Sequence, residues 1–202
     1  MRKLSLTIIV LILIFVVLFL FFVSFQVRET ETALVTRFGE PVRTITEPGL
    51  KFKWPQPIEQ VHKFDSRNRV YEADIGETTT KGAVPIIVKS YVVWKIARPL
   101  EFFNAVGTVI EAERRILDQL GDTQNRVVGR HFFSEFVNSD PERIKFKEIE
   151  SEMTADLAPT MLENYGVEIR TVGIKRMEIN EDVTENVFER MRAERNRRTQ
   201  AI

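Results

Sequence analysis

An uninterrupted apolar run opens the chain. Residues 4–27 include no charged residue, no glycine and no proline. At about 1.5 Å per residue, a helix of this length extends roughly 36 Å and can cross the hydrocarbon core of a bilayer, which is about 30 Å thick. A buried helix of a soluble protein rarely stays apolar on every face for so long. We therefore predict a transmembrane segment within residues 1–27.

The flanks of this run indicate how it is processed and oriented. A cleaved signal peptide has a shorter apolar stretch, about 7–15 residues, followed by an A-x-A-like site. The sequence VSFQ at residues 23–26 offers no such site, so an uncleaved signal anchor is predicted. Arg2 and Lys3 precede the run, whereas the residues after it are of mixed charge. By the positive-inside rule the N-terminus is then cytoplasmic, and the rest of the chain lies on the far side.

After the anchor, apolar and polar residues alternate in segments typical of β-strands. Residues 32–38 form a short alternating segment that ends at a Gly-Glu-Pro turn. Residues 84–96 are the strongest predicted strand, because they are rich in β-branched residues and nearly alternate. A further strand is predicted over residues 167–179, with a bulge near Gly173 where the apolar phase slips.

One alternating segment has two interpretations. Leu50, Phe52 and Trp54 share one face of a short strand, and two lysines share the other. The simpler interpretation is a strand that buries its apolar face. The alternative is an apolar edge that enters the membrane interface, where Trp and Lys are both favoured.

Helical periodicity follows in the second half of the chain. Residues 109–128 and the segment after Pro141 each carry apolar positions at steps of three and four. The predicted inner positions are Ile116, Leu120, Thr123 and Val127 in the first helix and Phe146, Ile149, Met153 and Leu157 in the second. Pro159 is expected to kink or end the second helix. A last helix is predicted to begin after Asn180. Together with the strands, this pattern predicts an α+β fold.

Charge and composition exclude some classes of function. The chain has 202 residues, with 29 basic and 29 acidic side chains. A balanced charge does not favour nucleic-acid binding, whose affinity comes from a basic excess. There is no cysteine, so neither a disulfide nor a thiolate site exists.

No pattern of catalytic residues is evident, and we predict that the protein is not an enzyme. The two histidines, His62 and His131, are far apart in the sequence and are expected to have structural roles. Neither a nucleophile elbow nor a glycine-rich phosphate loop is present. A zinc site needs three or four ligands in close array, and no such spacing is found. Catalytic, cofactor and metal sites are therefore all predicted to be absent.

The chain ends in a strongly charged run. Residues 189–198 contain five arginines and two glutamates. One interpretation is a solvated helix end, where arginine suits the helix dipole. The other is the start of a longer helix that packs on neighbouring subunits, since its apolar stripe is too narrow to hold it on its own domain. On that interpretation the candidate oligomer contacts are Arg190, Arg192, Glu194 and Arg195.

Several motifs in order resemble one family. They are VTRFG (35–39), EPGLKF (47–52), TKGAVP (80–85), YGVEI (165–169) and RMRAER (190–195). Following a single N-terminal anchor, they resemble the stomatin/prohibitin/flotillin/HflK-HflC superfamily, also called band 7 or SPFH. The segment SYVVWKI (90–96) and the RMRAER run are most similar to the HflC branch. Each motif alone is weak, whereas their order and spacing over nearly the whole chain are specific.

The resemblance implies an architecture. It comprises an anchor over residues 1–27 and a band 7 domain of antiparallel sheet with packed helices over residues 28–179. That domain has two lobes, with a boundary near residues 80–98. Residues 180–202 then begin a long coiled-coil helix. Family members continue beyond the RMRAER run, so a chain that stops at Ile202 is expected to be a fragment or a truncated form.

The resemblance also implies a function without catalytic residues or cofactors. Such a protein is a scaffold of the bacterial inner membrane, with its main domain in the periplasm. Its expected partners are membrane lipid, an HflK-like paralogue with which it forms a ring or cage, and an FtsH-type protease that the assembly regulates. Two alternatives are a stomatin-like organiser of membrane domains and, less favoured, a membrane-anchored hydrolase with an unrecognised site.

Overall fold

The computed structural model describes residues 2–179, with side chains from Val10 onward. Strands dominate the first half of this part and helices the second, so the predicted α+β class is confirmed. In chain order the elements are α1 (Arg2–Val23), β1 (Ser24–Val27), β2 (Glu31–Arg37), β3 (Glu40–Ile45), β4 (Gly49–Phe52), β5 (Glu59–Asp65), β6 (Arg69–Thr79), β7 (Pro85–Ile96), α2 (Pro99–Ala105), α3 (Val109–Val128), α4 (Phe133–Phe136), a 3₁₀ turn (Pro141–Arg143), α5 (Phe146–Tyr165) and β8 (Val167–Ile179).

These elements belong to two compact units. The first unit contains the residues up to Arg67 and the returning segment Ile96–Asn104. The second contains Asn68–Lys95 and the described residues from Ala105 to Ile179. The family resemblance implied a boundary between two lobes near residues 80–98. That boundary stays a prediction.

The apolar run at the start of the chain forms two elements. The predicted helix ends at Val23, and the last four residues of the uncharged run form β1, which pairs antiparallel with β4. The carbonyl of Val23 accepts a hydrogen bond from the Lys53 N–H at 2.8 Å, and Val27 is buried. A helix through residue 27 is therefore wrong, because strand pairing satisfies this backbone instead. Among the described residues, no helix is both long and apolar enough to cross a membrane.

In the first unit, β2 is the central strand of a three-stranded antiparallel sheet. It pairs with β3 on one side and with β5 on the other. Its central residues are buried on both faces, as Ala33, Leu34 and Val35 show. On the β5 side, Phe64 meets Phe102 of α2 edge to face, with ring centroids 5.4 Å apart.

The face predicted to be buried in the segment around β4 is exposed. Leu50, Phe52 and Trp54 have 64%, 56% and 59% of their surface accessible. The interpretation of this segment as an ordinary half-buried strand is therefore wrong. Among the described residues, β4 pairs with β1 alone in a two-stranded sheet, and such a ribbon has few neighbours to cover its apolar face.

The second unit is built on a three-stranded sheet of order β6-β7-β8. Burial alternates strictly along β7, the strongest strand predicted from the sequence. The inner face of α3 carries the predicted residues Ile116, Leu120, Thr123 and Val127, all buried. Thr108 caps this helix by accepting a hydrogen bond from the Glu111 N–H. The predicted helix and its buried face are confirmed.

A polar contact crosses the core of this unit. Ser90 of β7 donates from Oγ to Gln124 Oε1 of α3 at 2.9 Å, and the Gln124 amide donates to the Val88 carbonyl at 3.4 Å. Both side chains are almost fully buried. Because a buried amide is costly without partners, this pair fixes the alignment of α3 on the sheet as well as adding stability.

Candidate functional site

The oligomer contacts predicted from the sequence lie near the end of the chain. Arg190, Arg192, Glu194 and Arg195 lie outside the described residues, as does the helix predicted to begin after Asn180. Within residues 2–179, one cluster of charged side chains in each unit has the geometry of a site.

The first cluster surrounds the carboxylate of Glu59, the first residue of β5, whose side chain is 1% exposed. Arg37, at the end of β2, is its partner in the strand register and donates from Nη2 to Oε1 at 2.7 Å. Arg43 of β3 donates to Oε2 at 3.3 Å. The Trp54 N–H donates to the same oxygen at 3.0 Å. One buried carboxylate therefore joins all three strands of the sheet to the segment after β4.

Burial and these donors act on Glu59 in opposite directions. Burial alone would raise the pKa of the carboxyl group, because the charged form loses its hydration. The hydrogen bonds from Trp54 and Arg37 and the charges of Arg43 and Arg37 outweigh burial and hold the pKa of Glu59 below its ordinary value. Glu59 is thus ionised at neutral pH and neutralises part of the charge of the two arginines.

A cleft of about 410 Å³ adjoins this cluster. Its lining combines the end of α1 with basic and aromatic side chains, among them Val23, Arg37, Arg43, Phe52, Lys53 and Trp54. The two arginine side chains remain nearly half exposed, at 46% and 45%. The volume lies within the range of small-molecule sites, about 300–1,000 Å³. The cleft is therefore large enough for an amphiphilic ligand and offers it both cationic and apolar contacts.

The second cluster is centred on His131, which follows α3. Its Nδ1 lies 3.1 Å from Glu135 Oε2 of α4, and its Nε2 lies 2.9 Å from Glu152 Oε2 of α5. Arg130 contacts the other oxygen of Glu152 at 2.8 Å, and Lys145 contacts Glu135 at 3.1 Å. This alternation of charges joins α4 and α5 to the end of α3.

Both carboxylates of this cluster have lowered pKa values. At Glu135, burial opposes the shift, but the Phe132 N–H, Lys145 and His131 outweigh it and lower the pKa. At Glu152, the hydrogen bond from His131 is the main cause of the lowered pKa, and Arg130 adds to it. Both groups are charged at neutral pH and favour the folded state there.

We expect the stability of this cluster to fall on acidification. Because the folded state holds the two glutamates below their ordinary pKa, it binds fewer protons than the unfolded state as the pH drops below about 4.5. Their stabilising contribution is present at neutral pH and is lost in that acid range. A Glu152→Gln variant should therefore start less stable at pH 7 and lose less stability between pH 7 and pH 3. Thermal unfolding at both pH values measures this difference, and an equal loss in both proteins would contradict it.

The chemistry of the two clusters is structural or ligand-binding. No serine, threonine or lysine is held against His131 in the contacts above, and both of its ring nitrogens contact carboxylates. His62 lies 3.4 Å from Thr36 Oγ1 and stacks near Phe103. Among the described residues, no group of three or more His, Asp or Glu side chains could hold a metal ion.

Comparison with known proteins identifies the family. The model of the SPFH domain / Band 7 family matches residues 25–202. The chain therefore belongs to this family, and the resemblance seen in its motifs is confirmed. The prediction of a non-enzymatic protein agrees with this membership.

Curated relatives resemble the chain over most of its length. Protein HflC of Buchnera aphidicola (strain APS) is 28% identical over 187 residues, which cover 85% of this chain and 60% of the relative. The modulator of FtsH protease HflC of Escherichia coli K12 is 26% identical over 212 residues, with 85% and 63% covered. Protein HflC of Vibrio parahaemolyticus is 26% identical, with 96% and 68% covered. The chain thus spans about 60% of the length of the Buchnera relative.

The Glu59 cluster was not predicted from the sequence. Arg37 and Glu59 are 22 residues apart, and each looks like an ordinary surface charge next to a turn. A weak signal was present: Glu59 opens a strand one residue after a Pro-Gln-Pro sequence, and Arg37 closes another strand. Only the pairing register of β2 with β5 brings the two together.

Proposed function

We propose that the protein is a membrane-anchored, non-catalytic subunit that regulates an FtsH-type ATP-dependent membrane protease. The observation that carries this proposal is the family match over residues 25–202, together with relatives named as HflC and, in Escherichia coli, as a modulator of FtsH protease. Neither charge cluster presents an activated nucleophile, which suits a regulatory subunit better than a hydrolase.

We also propose a single-pass anchor in the bacterial inner membrane, with the main domain in the periplasm. Support comes from the uncharged run over residues 4–27 and from the basic pair Arg2 and Lys3 before it. Residues Arg2–Val23, which include most of this run, form α1. From Val10 to Phe22 its large apolar side chains are exposed, as a lipid-facing helix requires.

The topology has a direct test. A reporter enzyme that is active only in the periplasm, fused after Ile202, should be active in cells, whereas a reporter active only in the cytoplasm should be silent. Moving two positive charges from positions 2 and 3 to the segment after residue 27 should reduce the periplasmic signal, because basic residues favour the cytoplasmic side. Cytoplasmic activity of the unmodified fusion would overturn the orientation.

The assembly we propose is a ring or cage with an HflK-like paralogue. The charged run with Arg190, Arg192, Glu194 and Arg195 would supply complementary charges that set the alignment of neighbouring helices. An exposed alkyl and aromatic face at Leu50, Phe52 and Trp54 would keep the body close to the lipid surface.

We expect the double variant Arg192→Glu/Arg195→Glu to co-purify less HflK-like partner and less protease from solubilised membranes. Exposed charge changes usually alter stability by under about 0.5 kcal/mol, so circular dichroism should be unchanged. The variant Arg114→Glu/Arg115→Glu on α3 is the control with an equal charge change. If the wild type and both variants recover equal amounts of partner and protease, the charged run does not contribute to assembly and is a solvated helix face. Membrane insertion without any recovered protease would favour a stomatin-like membrane organiser.

A further inference from the structure

The cleft beside Glu59 combines cationic and apolar side chains. At one side it has cationic side chains from Arg37, Arg43 and Lys53. At the other it has apolar contacts from Phe52 and Trp54, which are more than half exposed. An amphiphile with an anionic head and an apolar tail matches both sides.

The charge balance of the cleft favours an anion. Three cationic side chains line it, and Glu59 is the acidic residue among them, so the lining carries a net charge of +2. Lys53 makes no ion pair in the part of the chain that the structure describes. A guanidinium has five N–H donors, and the contacts to Glu59 and the Phe52 carbonyl occupy only Nη2 of each arginine. The remaining donors suit the oxygens of a phosphate.

The position of the cleft favours a lipid as the source of that phosphate. Phe19 and Val23 of α1 form part of its lining, so the cleft begins where the apolar helix ends. The Lys53 N–H bonds the last carbonyl of that helix, at Val23. If α1 lies in the bilayer, the basic residues reach the depth of the headgroups while Phe52 and Trp54 reach the upper acyl chains, as aromatic and basic residues do at membrane interfaces.

We propose that this cleft binds the phosphate headgroup of an anionic phospholipid, with Arg37, Arg43 and Lys53 on the phosphate and Phe52 and Trp54 on the first part of an acyl chain. This inference rests on the membrane placement in the proposed function. Glu59 orients the two arginines and does not touch the lipid. The bound lipid would hold the first unit against the membrane surface near the C-terminal end of α1.

Fluorescence quenching in nanodiscs tests the site, because Trp54 lines the cleft. The full-length chain is reconstituted in phosphatidylcholine nanodiscs that contain an equal fraction of either brominated phosphatidylglycerol or brominated phosphatidylcholine. Trp94, which is fully buried in the second unit, provides an internal reference. We expect stronger quenching of Trp54 by the anionic lipid, with an enrichment of about fivefold for each basic residue that contacts it.

Matched variants separate a site from general attraction. Lys53→Gln should reduce the preference for the anionic lipid severalfold, whereas Lys51→Gln, which removes the same charge two residues away outside this cleft, should not. Arg43→Gln should reduce it further, with circular dichroism as the check on folding. If the Lys51 and Lys53 variants lose the preference for the anionic lipid equally, the preference comes from general surface charge, and the proposal is overturned.

The remaining outcomes separate a failure of the lipid site from a failure of the proposed membrane placement, on which the lipid site depends. Equal quenching by both lipids would overturn the lipid site and leave the membrane placement intact. No quenching by either lipid would overturn the membrane placement and the site with it. Excess inorganic phosphate, compared with sodium chloride at equal ionic strength, should not remove the preference; if it does, the cleft binds free phosphate and not lipid. Recovery of the protease in co-purification is scored separately.

Discussion

A Glu59→Gln variant is expected to destabilise the first unit by about 2–3 kcal/mol. Removing one partner from a buried ion pair usually costs about 3–5 kcal/mol, because the other charge stays without compensation. The cost is smaller here because Arg37 and Arg43 are nearly half exposed and water screens them. The amide keeps the size of the carboxylate, so the variant tests charge and not volume.

Hydrogen exchange of the full chain in detergent measures this effect by region. Peptides that cover β2 and β5 should exchange faster in the variant, since Glu59 ties both strands together, whereas peptides of α3 should not change. Glu47→Gln is the matched control, because the Glu47 side chain is 86% exposed and its ion pair within residues 2–179 is with Lys51, at 3.1 Å. If the Glu59 variant exchanges like the control, the buried cluster contributes no stability.

The contrast between Glu59 and the predicted strands shows what a sequence pattern can reveal. Alternation along β7 predicted its buried face, because that strand lies inside a sheet and a helix covers one side. The partners of Glu59 depend on how β2, β3 and β5 align in space. Strand register is a tertiary property, and a charge at a strand end does not indicate its partner.

Two further differences have physical causes. Strict alternation at Leu50, Phe52 and Trp54 showed that one face of the strand is apolar. It did not show whether another element covers that face, and in the structure the face is exposed. At Pro159 the sequence predicted a kink or an end. An end is wrong, because α5 continues to Tyr165, and a kink stays a prediction. A proline removes one backbone hydrogen bond, but packing can maintain the helix, and Leu157 and Met161 on either side are buried.

At Gly173 the sequence showed a slip in the apolar alternation, but it did not show which side chain packs there. The sequence predicted a bulge there. In the structure, a Cβ at this position would lie 2.4 Å from the ring of Tyr91 on the neighbouring strand β7. The glycine therefore makes room for an aromatic side chain packed across the strand, a role that β-strand glycines commonly have. Which side chain packs against Gly173 depends on how β7 and β8 align, and the bulge itself stays a prediction.

An Ile116→Ala variant is expected to lower the stability of the second unit by about 2–5 kcal/mol. Ile116 is fully buried on the inner face of α3. Removing its three outer carbons loses the transfer free energy of buried apolar atoms and leaves a cavity that neighbouring side chains fill only in part. Hydrogen exchange of peptides from α3 and β7 should report the loss, because α3 is joined to β7 through Ser90 and Gln124.

The same helix supplies the control. Ile110→Ala changes the same residue type six positions earlier, at a side chain that is 80% exposed. It should alter stability by no more than about 0.5 kcal/mol, since no cavity forms and alanine is the better helix former. The two substitutions remove the same atoms, so the difference between them measures burial alone. Equal effects on exchange would mean that α3 does not pack on the sheet through the face that its periodicity predicts, and a large effect at Ile110 alone would place a subunit contact on its outer face.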